Sequence, residues 1–394
     1  MEKLNIILFC DAFFPDIDGV VNVIDNHARL LTKLGHNVTI VAPRSRGYVD
    51  NFPYNVLRCR GTKRKMANYT VGFPAFDKKF KKALKNLPCD IIHIHSPAMV
   101  GHYGMKYAKK NKIPYIATFH SQFKRDIKKY IKFRFLTNLA LKIPMKVYNN
   151  AQTTLIMNPG SETILKSYKY KGNCRIIPNA TIFEAPDNIK SYEDLADEKF
   201  GLKDKQNVLI FIGRLVKQKN ILFLAKVLKV LKDLGIEFTM CFVGGEGGRD
   251  IVALKNRIER YELNESVIFT GLITDKELVK AMFARADLFL FPSYYDVSSL
   301  VQIEAAAFKT PTVFIEGALT ASAVIDNVNG FIAPNNLQLF AQKVFNVLNS
   351  KDELTKIGVN AKRDLYITWE QVVDKLDVVY KEVLKEYKTK DSKL

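Results

Sequence analysis

No apolar run in this 394-residue chain approaches the roughly 18 residues that a membrane-spanning helix needs. Cysteine is sparse. The five (Cys10, Cys59, Cys89, Cys174, Cys241) are odd in number, scattered, and include no Cys-x-x-Cys pair. That argues against a disulfide framework or a zinc knuckle and fits a reducing cytoplasm. Histidine stops early, because His27, His36, His93, His95, His102 and His120 all precede residue 121. Any catalytic histidine must therefore come from the first half. The segment Leu4 to Phe14 is interrupted by Asn5 and Asp11 and lacks a small-residue cleavage site, so it reads as a buried strand rather than a signal-peptide core.

Acid is the scarcest class between residues 51 and 150, where 22 Lys/Arg face 3 Asp/Glu, against 38 and 37 in the rest of the chain. Nearly all of the +20 net charge therefore sits in this stretch. It includes Lys63-Arg64-Lys65, Lys78-Lys79, Lys81-Lys82, Lys124-Arg125, Lys128-Lys129, Lys132 and Arg134, with Phe123, Ile127, Tyr130, Ile131, Phe133 and Phe135 among the last of them. Basic residues interleaved with aromatics suit an anionic membrane surface or nucleic acid. A solvated face is the plain alternative. No zinc finger, RRM or other nucleic-acid module accompanies the charge, which favours the membrane surface and an expectation of no nucleic-acid partner.

With 47% hydrophobic and 25% charged residues the chain is that of a folded protein, and its length suits two domains. Strand patterns alternate with helical ones throughout, predicting an α/β fold with parallel sheets covered on both faces. The first half offers strands at Ile6–Phe9, Asn37–Val41, Ile91–His95, Tyr115–Phe119 and Thr153–Met157. Helices fit Val20–Leu34, Lys78–Leu87, Val100–Lys110 and part of Lys128–Tyr148. The second half offers strands at Val208–Ile212, Phe238–Val243, Val267–Thr270, Leu288–Phe291 and Thr312–Phe314. A helix fits Trp369–Tyr387. The acidic stretch after Pro178 has no strong apolar period. The expected division is residues 1–180, a linker at 181–206, a second domain at 207–368, and a terminal helix in 369–394.

Chemistry concentrates in the second half. After the strand Leu288–Phe291, Asp296 falls in a loop, and Glu304 falls about one turn inside a helix opening near Leu300. Ser299 followed by Gln302 has the spacing of a capping box. Backbone N–H groups at Ser298, Ser299 and Leu300 would then face the space between two acids, an anion site flanked by hydroxyl acceptors. Arg214 and Lys219 bracket the turn after Val208–Ile212, where two cations suit a diphosphate. Gly245, in the run Gly244-Gly245-Glu246-Gly247, permits close backbone approach to a ligand. A nucleotide sugar has the phosphates and hydroxyls that these features require.

These stretches resemble the retaining nucleotide-sugar glycosyltransferases of family 4. The similarity runs from "NIILFCDAFFPDIDGVVNVIDNHARLLTKLGHNVTIVAP" through "IIHIHSP", "IPYIATFHS" and "IIPNA" to "FIGRLVKQKN", "FVGGEGG" and "FPSYYDVSSLVQIEAAAFKTPTV". The resemblance implies the GT-B fold, two doubly wound Rossmann-like domains facing across a cleft. It implies that the terminal helix packs back on the N-terminal domain, which would bind the acceptor. It places Glu304 on the ribose, Asp296 on the transferred sugar, and His120 beside that sugar. Asp296 departs from the family, which more often has Glu there. Gly19, in the first strand-to-helix loop, is a candidate ligand contact where the family usually has two glycines, and Asp18 stands in place of the first. No cofactor is expected. Asp16 and Asp18 have the spacing of a metal-binding pair, but the family needs no metal and none is expected. The expected activity is transfer from a UDP- or GDP-sugar to a lipid, lipid-linked or polysaccharide acceptor. A sugar-nucleotide epimerase, or a basic nucleic-acid-binding protein, is the alternative.

Overall fold

The computed structural model describes residues 2–391 except 17, 64–69, 132, 187 and 246–247, without the side chains of 129, 130, 390 and 391. Arg64, Lys65, Lys132, Glu246 and Gly247, singled out above, lie outside the described residues, as do the side chains of Lys129 and Tyr130. The chain forms two compact units, Met1–Asn179 with Trp369–Leu394, and Ala180–Thr368.

The first unit contains strands β1 (Asn5–Phe9), β2 (Asn37–Pro43), β3 (Asn55–Cys59), β4 (Gly61–Lys63), β5 (Thr70–Gly72), β6 (Ile91–Ile94), β7 (Tyr115–Thr118), β8 (Thr154–Ile156) and β9 (Cys174–Ile176). Its helices are α1 (Gly19–Lys33), α2 (Lys78–Lys85), α3 (Met99–Lys110), α4 (Phe123–Tyr130), α5 (Arg134–Asn149) and α6 (Pro159–Ser167). Seven parallel strands run in the order β3-β2-β1-β6-β7-β8-β9, while β4 and β5 form a separate antiparallel pair. Strands β1, β6 and β7 are buried on nearly every residue, as a sheet covered on both faces requires. Short or half-polar strands such as β3 and β9 were not legible from periodicity, because only part of each is buried. The expected helix within Lys128–Tyr148 is two helices. Ile131 and Phe133 take extended backbone between α4 and α5.

The second unit contains β10 (Val208–Ile212), β11 (Thr239–Val243), β12 (Val267–Gly271), β13 (Leu288–Phe291), β14 (Thr312–Ile315) and β15 (Phe331–Ala333). Its helices are α7 (Lys190–Phe200), α8 (Ile221–Asp233), α9 (Arg249–Arg260), α10 (Lys276–Arg285), α11 (Leu300–Ala307), α12 (Leu337–Leu348) and α13 (Lys351–Leu365). The parallel strand order is β12-β11-β10-β13-β14-β15. Both units are therefore Rossmann-like, doubly wound α/β layers.

Residues within the expected linker at 181–206 pack on the second unit. Phe183, Ala196 and Leu202 enter the core of the second unit, and α7 packs on α10. Arg285 of α10 binds Asp197 at 2.5 Å and the carbonyls of Leu202 and Lys205 at 2.8 Å. Asp194 and Glu198 are exposed on α7 while Asp197 faces Arg285, so the few apolar residues of this helix give a weak period. The last helix, α14 (Trp369–Asp391), belongs to the first unit and packs on α1.

Candidate functional site

In the second sheet the strand order diverges at β10 and β13, and ligands of doubly wound sheets bind beyond the carboxyl ends of such a strand pair. Arg214 and Lys219 follow β10, and Asp296 to Glu304 follow β13. The topology thus brings six of the expected residues (Arg214, Lys219, Asp296, Ser299, Leu300, Glu304) to one end of one sheet, with Ser298 in the same loop. Arg214 is exposed in the turn, while Lys219 ends a short 3-10 turn whose next residue, Asn220, is left-handed with φ 61°. Lys219 Nζ donates to Asp296 Oδ1 at 2.6 Å and lies 5.5 Å from the centre of the Phe291 ring. The two acids therefore differ, since Asp296 is already engaged by a cation.

Among the described residues Glu304 has no such close partner. Burial pushes its carboxyl up to about 7, against which Lys276 pulls only weakly. A carboxylate left half-covered without a close partner is suited to accepting hydrogen bonds from ligand hydroxyls. Ser299 takes the N-cap position of α11 with extended backbone, but its hydroxyl makes no cap hydrogen bond. The expected capping box is thus absent, and Gln302 Oε1 is buried without a partner. Gly245 adjoins the same edge. Packing demands glycine at Gly244, where a Cβ would come within 2.0 Å of the Gly213 carbonyl oxygen, whereas at Gly245 the nearest atom would be 3.7 Å away.

The first unit places Gly19 at its own divergence point, β1 and β6, and His120 one strand further along the sheet. Gly19 opens α1, with open space where a Cβ would stand, and Asp18 caps the helix by accepting from Val21 N–H at 2.8 Å. Asp16 Oδ2 accepts from Thr70 N–H at 3.1 Å. Each acid of the Asp16–Asp18 spacing thus has a structural task. His120, just past β7, has Nε2 3.2 Å from His95 Nδ1, and burial lowers its pKa to about 3. His27, His93 and His95 present nitrogens within 4.8 Å of one another. Both nitrogens of His93 are occupied, Nδ1 at 2.7 Å from the Tyr380 hydroxyl and Nε2 at 2.6 Å from the Thr118 hydroxyl. Two imidazoles remain, fewer than a closed metal site uses. Burial lowers all of these histidines, His27 to about 4 and His93 and His95 well below the ordinary value, so they are neutral at pH 7.

A cavity of about 1050 Å³ lined by Arg285, Asp287, Lys309 and Pro311 opens at the other end of the second sheet. Asp287 precedes β13, whereas Asp296 follows it, so this cavity is not the site described above.

The profile described as "Glycosyltransferase Family 4" matches residues 17–182, and "Glycosyl transferases group 1" matches residues 193–364. The chain belongs to glycosyltransferase family 4. It is an enzyme with the GT-B fold. Alpha-monoglucosyldiacylglycerol synthase of Acholeplasma laidlawii is 24% identical over 373 residues, covering 91% of this chain and 92% of that protein. The protein of the same name from Streptococcus pneumoniae is 28% identical over 326 residues, covering 79% and 70%. Anabaena HepE in complex with UDP superimposes with a TM-score of 0.74 at 15% identity, covering 97% of this chain and 100% of that one. In this glycosyltransferase, sequence reading missed Ser293, which is fully buried and donates to Asp296 Oδ2 at 2.5 Å. The only local signal was its place just past the strand end, in Phe291-Pro292-Ser293.

Proposed function

We propose that this glycosyltransferase moves a sugar from a UDP- or GDP-sugar to a lipid, lipid-linked or polysaccharide acceptor at the cytoplasmic face of a membrane, with retention of configuration. The observation that carries the donor reading is the meeting of Lys219, Arg214, the start of α11 and the half-buried Glu304 at one strand-pair end. The cations and the helix start suit a diphosphate whose charge grows as it leaves. Glu304 suits the ribose hydroxyls. Retention would follow from attack on the face that the diphosphate vacates, with the departing phosphate oxygen accepting the acceptor's proton. His120 is the proposed catalytic residue of the first unit, a neutral imidazole able to accept or donate a hydrogen bond.

The acceptor reading is supported by an exposed face in the basic region. On and beside α5, Phe133, Phe135, Leu136, Leu139 and Ile143 are 73, 76, 44, 49 and 57% exposed. Phe135, Leu139, Lys142, Ile143 and Lys146 recur at helical spacing, so apolar and basic side chains share one face. Lys124, Arg125 and Lys128 on α4 extend the positive charge. Apolar groups beside cations match an anionic lipid interface better than a merely solvated face. No described helix is long and apolar enough to cross a membrane. Two relatives that span most of the chain are, by name, synthases of a glucosylated diacylglycerol.

Incubation with UDP- and GDP-sugars and a lipid extract, followed by mass spectrometry, tests the reading. A hexose-shifted lipid formed from one donor is the expected product. A converted sugar nucleotide formed without acceptor would instead make the protein an epimerase.

A further inference from the structure

Asp296 has both carboxylate oxygens in use. Oδ1 accepts from Lys219 Nζ at 2.6 Å, and Oδ2 accepts from Ser293 Oγ at 2.5 Å. Ser293 is fully buried, and its oxygen accepts from Tyr295 N–H at 3.3 Å, so its one hydroxyl proton is directed at Asp296. The Lys219 and Asp296 side chains are 13% and 17% exposed, less hydrated than an ordinary surface pair. Yet the same ammonium is the innermost cation of the strand-end turn proposed to take the diphosphate. A diphosphate arriving there competes with Asp296 for Lys219.

We propose that Asp296 is the resident counter-ion of Lys219, exchanged for the donor's diphosphate on binding, and that Ser293 is the positioning residue that keeps the displaced carboxylate facing the transferred sugar. The inference rests on reading this edge as the nucleotide-sugar site. It joins two roles that the sequence kept apart. Before the donor binds, Asp296 neutralises a partly buried cation that has no other acidic partner among the described residues. When phosphate oxygens take over the ammonium, Oδ1 loses its partner and becomes an acceptor for a sugar hydroxyl, while Ser293 still holds Oδ2. The carboxylate is thus released to the sugar only when a diphosphate is in place. A free sugar meets an acid already engaged, and a nucleoside diphosphate without sugar displaces Asp296 with nothing to receive it. Part of the affinity for the nucleoside diphosphate alone is therefore spent on breaking the pair.

The sign of the effect tests the exchange. Titration calorimetry with UDP, GDP and inorganic pyrophosphate is run on the wild type, Asp296→Asn, Lys219→Ala and the double variant. Asp296→Asn should bind the diphosphate that the wild type recognises roughly five- to tenfold more tightly, the scale of one partly buried pair, and yet lose transfer. In the Lys219→Ala background the same substitution should change affinity much less. Ser293→Ala should lower kcat for transfer while diphosphate affinity stays near wild type, a split that general destabilisation does not produce. If the wild type binds and Asp296→Asn binds equally or more weakly, the exchange is wrong while the donor site stands. If the wild type binds none of the three ligands, the donor reading fails and the exchange falls with it.

Discussion

Nδ1 of His93 on β6 and the hydroxyl of Tyr380 on α14 lie 2.7 Å apart, across 287 positions of sequence. Around this bond α14 buries Trp369, Val372, Val373, Leu376 and Val383 in the first unit, and His36 Nε2 meets Asp377 Oδ1 at 3.2 Å. Tyr380→Phe keeps the ring but strands a buried imidazole nitrogen, at a cost of about 1–3 kcal/mol. Calorimetry should show a lower unfolding temperature. An unchanged temperature would mean that the bond contributes nothing net.

Glu304 should make both stability and donor binding pH-dependent. Its folded pKa of about 7 lies above the ordinary value of 4.5, so the folded protein holds this proton more tightly than the unfolded chain. The contribution is fully present below 4.5 and is lost as pH rises through 7. Glu304→Gln cannot ionise, so its melting temperature should exceed that of the wild type at pH 8 and match it near pH 4.5. Ribose hydroxyls favour the ionised form, so wild-type affinity for the nucleotide should fall as pH drops below 7. A flat binding profile between pH 6 and 8 would remove Glu304 from the site.

Neutralisation of the diphosphate by Lys219, Arg214 and the start of α11 leads to a metal-free expectation. UDP or GDP should raise the melting temperature without divalent cations, and EDTA should leave turnover unchanged. Lys219→Ala should weaken binding by roughly tenfold, and Arg214→Ala by less because its side chain is solvated. Turnover abolished by EDTA and restored by a divalent ion would contradict this.

Membrane docking should depend on the apolar residues of α5 as well as on charge. Each cation near an anionic surface contributes about 1 kcal/mol and is screened by salt, whereas inserted side chains are not. Phe135→Ser with Leu139→Ser and Ile143→Ser should reduce flotation with anionic vesicles at high salt more than at low salt. Lys124→Glu with Arg125→Glu and Lys128→Glu should abolish it at low salt. Nucleotide affinity should be untouched in both sets. Failure of the wild type to float at low salt would favour a soluble acceptor.

Much of the candidate site was legible because its signals are local. Strands β10 and β13 consist of apolar residues throughout, so their limits and the turns after them follow from the chain itself. Glu304 one turn into a helix follows from the same reading. The absent capping box was not legible, because Ser299 and Gln302 have the right spacing whether or not the hydroxyl turns inward. Strand β15 was missed for a related reason. Three residues give too short a pattern, and its place is decided by pairing with β14.

The sequence by itself determined the order of the fully apolar strands and the helices between them, the confinement of charge to one stretch, and which residues stand at the ends of those strands, since each depends on neighbours a few positions away. Tertiary structure decided what those residues meet. Lys219 and Asp296 are 77 positions apart, and only the adjacency of β10 and β13 makes them partners. The acidic stretch near 190 joined the second unit because an apolar face too sparse to read along the chain found a core to cover, whereas the apolar period of α14 is plain and only its partner surface was decided by the fold. Periodicity records which side of an element is apolar, but which surface it meets depends on contacts between residues far apart in the chain.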